Sequence, residues 1–264
     1  MSLEQQVERI ARDHQVDLVG FARVEDVELA HPARPAADLL PGARTVIAFA
    51  AALLKGALDC PRGTKGAVKD ALVAYDRMEH AGAAVGRFLE SRGHLSYVPP
   101  ASMPVDVVRH RGRGMYAAEW SHRQAAIACG LGVQGRNNLL VTPEYGPRVR
   151  LASLLTTAEL PPTRRTLPED LCNDCGKCVR ACPVNALAAD PDAVPRLDQI
   201  ACRRNYLRPF LGPSVWQTVK QAVSYTGFAL LGVQTLLEGY YFSCAECQRV
   251  CPRGRLESPG RAAG

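Results

Sequence analysis

The sequence predicts an α+β protein in two parts, a sandwich of helices and strands over residues 1–160 and a cysteine-rich part over residues 161–264. Helical and strand-like hydrophobic patterns alternate along the first part, which is typical of layered α/β and α+β domains. Seven of the ten cysteines lie in two short groups in the second part. The composition, with 47% apolar and 22% charged residues, excludes a disordered, collagen-like or coiled-coil chain.

The first part is predicted to begin with an amphipathic helix over residues 3–14. Ser2 and Gln5 have the spacing of a capping box, and apolar residues follow at helical spacing. Two short apolar runs, at residues 17–22 and 45–50, predict buried strands.

A long helical pattern over residues 66–91 predicts the main helix of this part. A second helix is predicted over residues 121–129, ending at Gly130, because glycine commonly follows a helix. Strands are predicted at residues 139–142 and 148–156, on either side of a proline-containing turn. The expected core positions of the long helix are Val68, Leu72, Tyr75, Ala83, Phe88 and Leu89.

Charge and targeting patterns favour a cytoplasmic protein without a membrane partner. The net charge of +6 is spread along the chain, which indicates a solvated surface more than a dedicated site for polyanions. The first residues have no pattern of a secretory signal, and the most apolar stretch, residues 225–237, is too short to span a bilayer. Clustered cysteines in a reducing compartment indicate metal binding or redox chemistry.

The first cysteine group follows a proline-rich linker at residues 161–168 and is closed by Pro183. Its spacing is C-x2-C-x2-C-x3-C-P, as in bacterial two-cluster ferredoxins, where three thiolates bind one 4Fe–4S cube and the fourth reaches the other. Short spacers allow one loop to direct three sulfurs to three irons. The four residues are Cys172, Cys175, Cys178 and Cys182.

The second group has the spacing C-x2-C-x3-C-P and lacks one cysteine of the full pattern. Cys202, which lies between the two groups, can supply the missing thiolate. The predicted ligands of the first cluster are Cys172, Cys175, Cys178 and Cys251. The predicted ligands of the second cluster are Cys182, Cys202, Cys244 and Cys247.

Two other interpretations of these cysteines are zinc sites and structural thiols. Tetrahedral zinc sites use two separate knuckles in preference to three cysteines in one loop, which favours the clusters. Cys60 and Cys129 lie outside both groups and are expected to be inert, with Cys129 a small core residue.

A glycine-rich segment follows the helix at residues 121–129. Here a helix precedes the Gly-x-Gly-x-x-Gly string and a strand follows it, the reverse of the order in a dinucleotide-binding fold. The glycines are expected to allow close approach to a large flat cofactor, with polar contacts from the residues that follow; a plain glycine-rich helix stop is the alternative. The candidate residues are Gly130, Gly132, Gly135, Arg136, Asn137 and Asn138.

The segments at residues 40–47, 130–137 and 143–147, together with the cysteine arrangement, resemble the epoxyqueuosine reductases and their short relatives. That family is related to the corrinoid reductive dehalogenases. The resemblance implies a flavin-reductase/nitroreductase-like α/β domain that holds base-off cobalamin. It further implies a dicluster ferredoxin domain that reduces the cobalt.

The sequence also departs from this family. The tRNA-modifying members carry a C-terminal helical-repeat extension that has no counterpart after Cys251, which makes tRNA a doubtful substrate. Where those members have an acidic residue, this chain has Tyr116, as the dehalogenases do, and the resemblance implies a proton donor there. Ser121 and His122 resemble the short relatives; Ser121 is a candidate cofactor contact, and His122 is a second candidate for a catalytic donor. For both Tyr116 and His122 a purely structural role is the alternative.

The resemblance implies a cobalamin-dependent reductase that removes halide or oxygen from a small-molecule substrate. Its expected electron donor is a reduced ferredoxin or a flavodoxin-type protein. Two alternatives stay open: a non-catalytic electron-transfer, corrinoid-reducing or carrier protein, and a protein with a flavin in place of cobalamin.

Overall fold

The computed structural model describes residues 1–30, 35–60, 65–101, 120–190, 197–202, 205 and 244–254. Its helices are α1 (Leu3–Asp13), α2 (Val24–Ala30), α3 (Lys55–Leu58), α4 (Lys65–Glu90), α5 (His122–Ala128), α6 (Lys177–Arg180) and α7 (Glu246–Arg249). Its strands are β1 (Leu18–Arg23), β2 (Thr45–Ala52), β3 (Ser96–Tyr97), β4 (Val133–Gln134), β5 (Leu140–Val141) and β6 (Val149–Thr156).

A four-stranded antiparallel sheet forms the centre of the first part, with strand order β1-β2-β6-β3. Strands β2 and β6 pair along their whole length, from Thr45 opposite Thr156 to Ala52 opposite Val149. Strands β4 and β5 form a separate short hairpin. The predicted strands at 17–22, 45–50 and 148–156 are confirmed within one or two residues at each end.

Helices cover both faces of this sheet. Along β2, Ile47 and Phe49 belong to a core shared with α1 and α4, whereas Val46 and Ala48 belong to a core shared with α2 and α5. Successive side chains of a strand point to opposite faces, so a continuous apolar run is expected where both faces are covered. The predicted sandwich is therefore observed as a mixed α/β arrangement; its nitroreductase-like character stays a prediction.

The helix predictions hold, with one correction on the buried face of α4. The capping box of Ser2 and Gln5 is present at the start of α1, and α5 begins after the N-cap residue Ser121. Val68 and Leu89 of α4 are buried as predicted, but Leu72, Tyr75, Ala83 and Phe88 are only partly buried. Small side chains let the helix lie close to the sheet, and the fully buried face instead contains Ala74, Met78, Ala81, Val85 and Leu89.

The predicted linker at 161–168 runs along the free edge of β1 without forming a strand. The main-chain N–H of Thr163 donates to the carbonyl of Phe21 at 2.9 Å, and the N–H of Phe21 donates to the hydroxyl of Thr163 at the same distance. These contacts lead the chain from the sandwich into the cysteine-rich part. The division of the chain at residue 160 stays a prediction.

Candidate metal centre

Three of the predicted ligands lie on one tight loop that leads into α6. The loop is anchored by the buried Leu171 and turns at Asp174 and Gly176, which both have positive φ angles. At Gly176 φ is +67°, and a Cβ there would lie 2.9 Å from Nη1 of Arg180, so glycine suits this position. The turn allows Cys172, Cys175 and Cys178 to border the same space.

That space is a cavity open to solvent. The fourth cysteine on its wall is Cys251, which follows α7 and comes from far along the chain. The structure thus brings together the four thiols that the spacing assigned to one cluster. Burial, together with the nearby thiols of Cys172, Cys251 and Cys175, raises the pKa of Cys178.

The other four predicted ligands are also neighbours. Burial raises the pKa of Cys247 to about 12, with smaller effects from the thiols of Cys244 and Cys202 and then of Cys178 and Cys182. Burial raises the pKa of Cys202 too, and there the nearby thiols are those of Cys244 and Cys182. Thiols in such positions must release protons when they bind a metal.

The spacing within these groups differs from that of a mononuclear site. Among the described residues, no three or more His, Cys, Asp or Glu side chains come together tightly enough to hold one metal ion. Sulfurs around a single zinc ion lie about 3.8 Å apart, because each Zn–S bond is about 2.3 Å. In a 4Fe–4S cube each thiolate binds a different iron, which requires a wider set of sulfurs. Four thiolates in each set are the donors that a 4Fe–4S cube requires.

Two main-chain N–H groups donate hydrogen bonds to the cysteine sulfurs. The N–H of Arg136 lies 3.4 Å from Sγ of Cys172, and the N–H of Ala186 lies 3.2 Å from Sγ of Cys182. Such hydrogen bonds stabilise thiolates and adjust the potential of a cluster. Neither donor was predicted as such, because main-chain direction leaves no pattern in the sequence.

The segment that carries Cys251 is fixed to the first part of the protein. The guanidinium of Arg148 donates to the carbonyl of Gly254 from Nε at 3.0 Å and from Nη2 at 2.6 Å. The side-chain amide of Gln248, on α7, donates to the carbonyl of Pro147 at 2.7 Å. At Gly146 a Cβ would lie 2.2 Å from the carbonyl oxygen of Arg253, so the two backbones touch.

The glycine-rich segment packs against the chain itself. A Cβ at Gly132 would lie 2.2 Å from the carbonyl oxygen of Val141, and one at Gly135 would lie 2.6 Å from a methyl of the same residue. Gly130 has a φ of +71° and ends α5, as predicted. These glycines are required by internal contacts, so the cofactor contact predicted for them is not needed to explain them and stays a prediction.

Arg136 and Asn137 are directed to the cysteine-rich part, although free polar contacts for a cofactor were expected. The Arg136 guanidinium donates to the carbonyls of Ala188 and Ala189, and the Asn137 amide lies 3.4 Å from the carbonyl of Cys247. Both side chains are buried. The carbonyl of Asn138 accepts from the guanidinium of Arg123 at 2.6 Å, and its side-chain oxygen accepts from Gln134 at 2.9 Å.

Comparisons with known proteins agree with this geometry. Residues 166–188 match the 4Fe-4S binding domain family. This segment contains the four cysteines of the first group, Cys172, Cys175, Cys178 and Cys182. A curated epoxyqueuosine reductase of Listeria monocytogenes is 31% identical over 140 residues, covering 52% of this chain and 30% of the relative. One of Bacillus subtilis is 27% identical over 225 residues, covering 81% of this chain and 48% of the relative.

The chain is thus similar to epoxyqueuosine reductases. It is also related to a tetrachloroethene reductive dehalogenase of Desulfitobacterium hafniense, with 42% identity over 69 residues that cover 25% of this chain and 12% of the relative. The chain spans less than half the length of each of these curated relatives.

Solved structures share the fold of this epoxyqueuosine reductase-like chain. An epoxyqueuosine reductase from Streptococcus thermophilus superposes with a TM-score of 0.61 at 18% identity, covering 97% of this chain and 67% of the other. A reductive dehalogenase in complex with 3-bromo-4-hydroxybenzoic acid has a TM-score of 0.59 at 16% identity, covering 92% of this chain and 35% of the other.

The two candidate proton donors of the epoxyqueuosine reductase-like chain differ in what the structure says of them. Tyr116 lies outside the described residues. Both ring nitrogens of His122 have protein partners: Nδ1 lies 2.7 Å from the hydroxyl of the buried Ser153, and Nε2 lies 2.9 Å from the carbonyl of Pro100. Because a carbonyl only accepts, Nε2 carries a proton that it donates to Pro100.

Two smaller predictions can be compared with the structure. Cys129 is fully buried, its thiol lies 3.6 Å from the carbonyl of Val46, and burial raises its pKa, which fits a core residue. Cys60 is exposed. In the part of the chain that the structure describes, no helix has both the length and the apolar character needed to cross a membrane.

Proposed function

We propose that this protein is an iron–sulfur oxidoreductase that passes electrons through two 4Fe–4S clusters to a base-off cobalamin, which reduces a small substrate by dehalogenation or deoxygenation. One observation carries the iron–sulfur part of the proposal: Cys251, from the far end of the cysteine-rich part, borders the same cavity as Cys172, Cys175 and Cys178. Four thiols around one cavity suit a cube, which would accept and donate one electron at a time.

The residues around the two cysteine groups would hold and insulate these clusters. Cys178 is buried and Cys175 is exposed, so the first cluster would have one protected and one accessible side. The accessible side is where we expect a reduced ferredoxin or a flavodoxin-type donor to deliver electrons. The hydrogen bonds from Arg136 and Ala186 would stabilise one thiolate of each predicted cluster, Cys172 and Cys182 respectively.

The cobalamin part of the proposal is supported by the relatives. One reductive dehalogenase structure that superposes on 92% of this chain, with a TM-score of 0.58, suggests a mechanism for B12-dependent dehalogenation. A reduced corrinoid supplies the difficult bond-breaking chemistry, and the protein binds and orients the reactants. Another epoxyqueuosine reductase structure contains a tRNA stem loop, but we propose a small molecule as the substrate here.

A specific observation favours a second candidate, an electron-transfer or corrinoid-reducing protein without its own substrate. The residues expected to contact a cofactor or substrate have partners inside the chain: His122 with Ser153 and Pro100, and Arg136 with Ala188 and Ala189. A carrier of electrons needs the two cysteine groups and an exposed side, but no proton donor.

Anaerobic reconstitution tests the proposal. The chain is incubated with iron, sulfide and hydroxocobalamin, desalted, and assayed for iron, cobalt and absorption spectrum. We expect about eight irons per chain, four for each cube, and one equivalent of cobalt with a base-off spectrum. Iron without cobalt would favour the electron-transfer candidate, and a chain without iron would overturn both.

Tyr116→Phe and His122→Ala separate the two candidates. If the protein is a reductase, at least one variant loses substrate turnover while both clusters remain reducible. If it only transfers electrons, both variants reduce an acceptor as fast as the wild type does. The iron content of each variant is measured first, so that loss of clusters is not mistaken for loss of a proton donor.

A further inference from the structure

Arg136 combines burial, positive charge and proximity to the first cysteine group. Its side chain is 8% exposed and lies on the wall of the cavity that Cys172, Cys175, Cys178 and Cys251 border. It comes from the glycine-rich segment of the first part, although the cavity belongs mainly to the second. Its main-chain N–H donates to Sγ of Cys172 at 3.4 Å.

The positive charge of Arg136 is only partly neutralised. Among the described residues, its nearest carboxylate is that of Asp174, with Oδ1 3.7 Å from Nη1, and the Asp174 side chain is 56% exposed. Its other contacts within the described part of the chain are with the neutral carbonyls of Ala188 and Ala189. A buried charge held by dipoles and by one solvated partner keeps most of its field inside the protein.

Two other cationic side chains among the described residues line this cavity, and both differ from Arg136. Lys177 is exposed, so water screens its charge. Arg253 donates to the carboxylate of Asp170 at 2.6 Å and is about one-third exposed. Arg136 is therefore the most buried of these three cations, and its closest carboxylate among the described residues lies beyond hydrogen-bonding distance.

We propose that Arg136 raises the reduction potential of the cluster at Cys172, Cys175, Cys178 and Cys251. A cube bound by four thiolates is anionic, and reduction adds one electron and thus one further negative charge. A buried positive charge stabilises the reduced form more than the oxidised form. The electron comes from the external donor, and no bond forms or breaks at Arg136, which acts as a positioning and electrostatic residue.

This inference rests on the proposed clusters, and its test is a redox titration of the reconstituted full chain followed by EPR. Replacing Arg136 leaves the main-chain N–H in place, so the variants isolate the charge. Arg136→Gln is expected to lower one of the two cluster potentials by about 59 mV, a tenfold change in a one-electron equilibrium constant. That change corresponds to one charge about 12 Å away at an effective dielectric constant of about 20.

Three further variants complete the test. Arg136→Lys keeps the charge and should change the one-electron equilibrium constant by less than threefold. Lys177→Gln removes an exposed cation from the same cavity and should also change this equilibrium constant by less than threefold. Asp174→Asn, a surface change that tolerates the positive φ of this position, should raise the same potential.

The outcomes are distinguishable. A wild-type chain without iron overturns the proposed function and this inference together. Full iron in Arg136→Gln with both potentials unchanged overturns the inference alone. If Arg136→Gln does not assemble clusters, Asp174→Asn decides: an upward shift supports the electrostatic effect at this wall, and an unchanged potential overturns it.

Discussion

The guanidinium of Arg148 donates two hydrogen bonds, of 3.0 and 2.6 Å, to the carbonyl of Gly254. Arg148 directly precedes the central strand β6, and Gly254 lies three residues after Cys251. The third nitrogen of Arg148 donates to the carbonyl of Leu53 at 2.9 Å, and the side chain is 8% exposed. One buried side chain thereby joins the sandwich to the end of the cysteine-rich part.

Arg148→Met is expected to lower the free energy of unfolding by about 2–4 kcal/mol, because buried carbonyls lose charged hydrogen-bond donors. It should also speed the loss of iron to a chelator. Thermal unfolding and chelator kinetics measure the two effects. Arg150→Met is the matched control: Arg150 lies two residues further along, in strand β6, and is half-buried, with a 3.4 Å bond to Val149 and a 6.0 Å contact with the ring of Tyr75. A loss in the control as large as that in Arg148→Met would contradict the role given to Arg148.

Gly132→Ala is expected to destabilise the fold by about 2–4 kcal/mol, since its new Cβ would meet the carbonyl of Val141 at 2.2 Å. Gly56→Ala is the control, because a Cβ there has open space and lies in helix α3. Chemical denaturation of both variants measures the difference. If Gly132→Ala unfolds like the wild type but binds cobalamin more weakly, the glycine borders a cofactor after all.

Cys202→Ser is expected to remove one cluster and leave the other, so the iron content should fall from about eight to about four per chain. Cys202 is the predicted ligand outside both cysteine groups, and its neighbours are the thiols of Cys244 and Cys182. Cys60→Ser, at an exposed cysteine outside both groups, should keep all the iron. Full iron in Cys202→Ser would show that another residue completes the second cluster.

Stability is expected to fall at alkaline pH, in part through Cys129. Burial raises the pKa of this thiol in the folded state, whereas the unfolded chain releases the proton near pH 8.5. Above that pH the folded state binds more protons than the unfolded state, so the free energy of unfolding decreases by up to about 1.4 kcal/mol per pH unit.

Denaturation at several pH values between 8 and 10 tests this effect. Cys129→Ala should give a shallower decrease with pH than the wild type, while Cys60→Ala, which removes an exposed thiol, should not. Only the slopes are compared, because Cys129→Ala also changes core packing. Equal slopes in Cys129→Ala and wild type would show that the thiol ionises without cost in the folded protein.

Local patterns predicted the elements of the sandwich well, because a strand covered on both faces and a capped helix each depend on neighbouring residues. The cysteine spacing likewise indicated which thiols lie near each other. Arg148 and Arg136 show what local patterns miss: their partners, Gly254 and the sulfur of Cys172, lie far away in sequence. The glycine spacing was ambiguous for another reason. The lack of a Cβ at Gly132 would allow close approach either of a neighbouring strand or of a cofactor, and the spacing does not distinguish the two.

The contacts of Gly254 have a consequence for how the protein matures. Bringing distant segments together costs chain entropy, and here main-chain contact at Gly146 and the bonds from Arg148 offset part of that cost. The polypeptide itself therefore delivers Cys251 to the loop of Cys172, Cys175 and Cys178. Contacts within the chain thus contribute to closing the predicted cluster site.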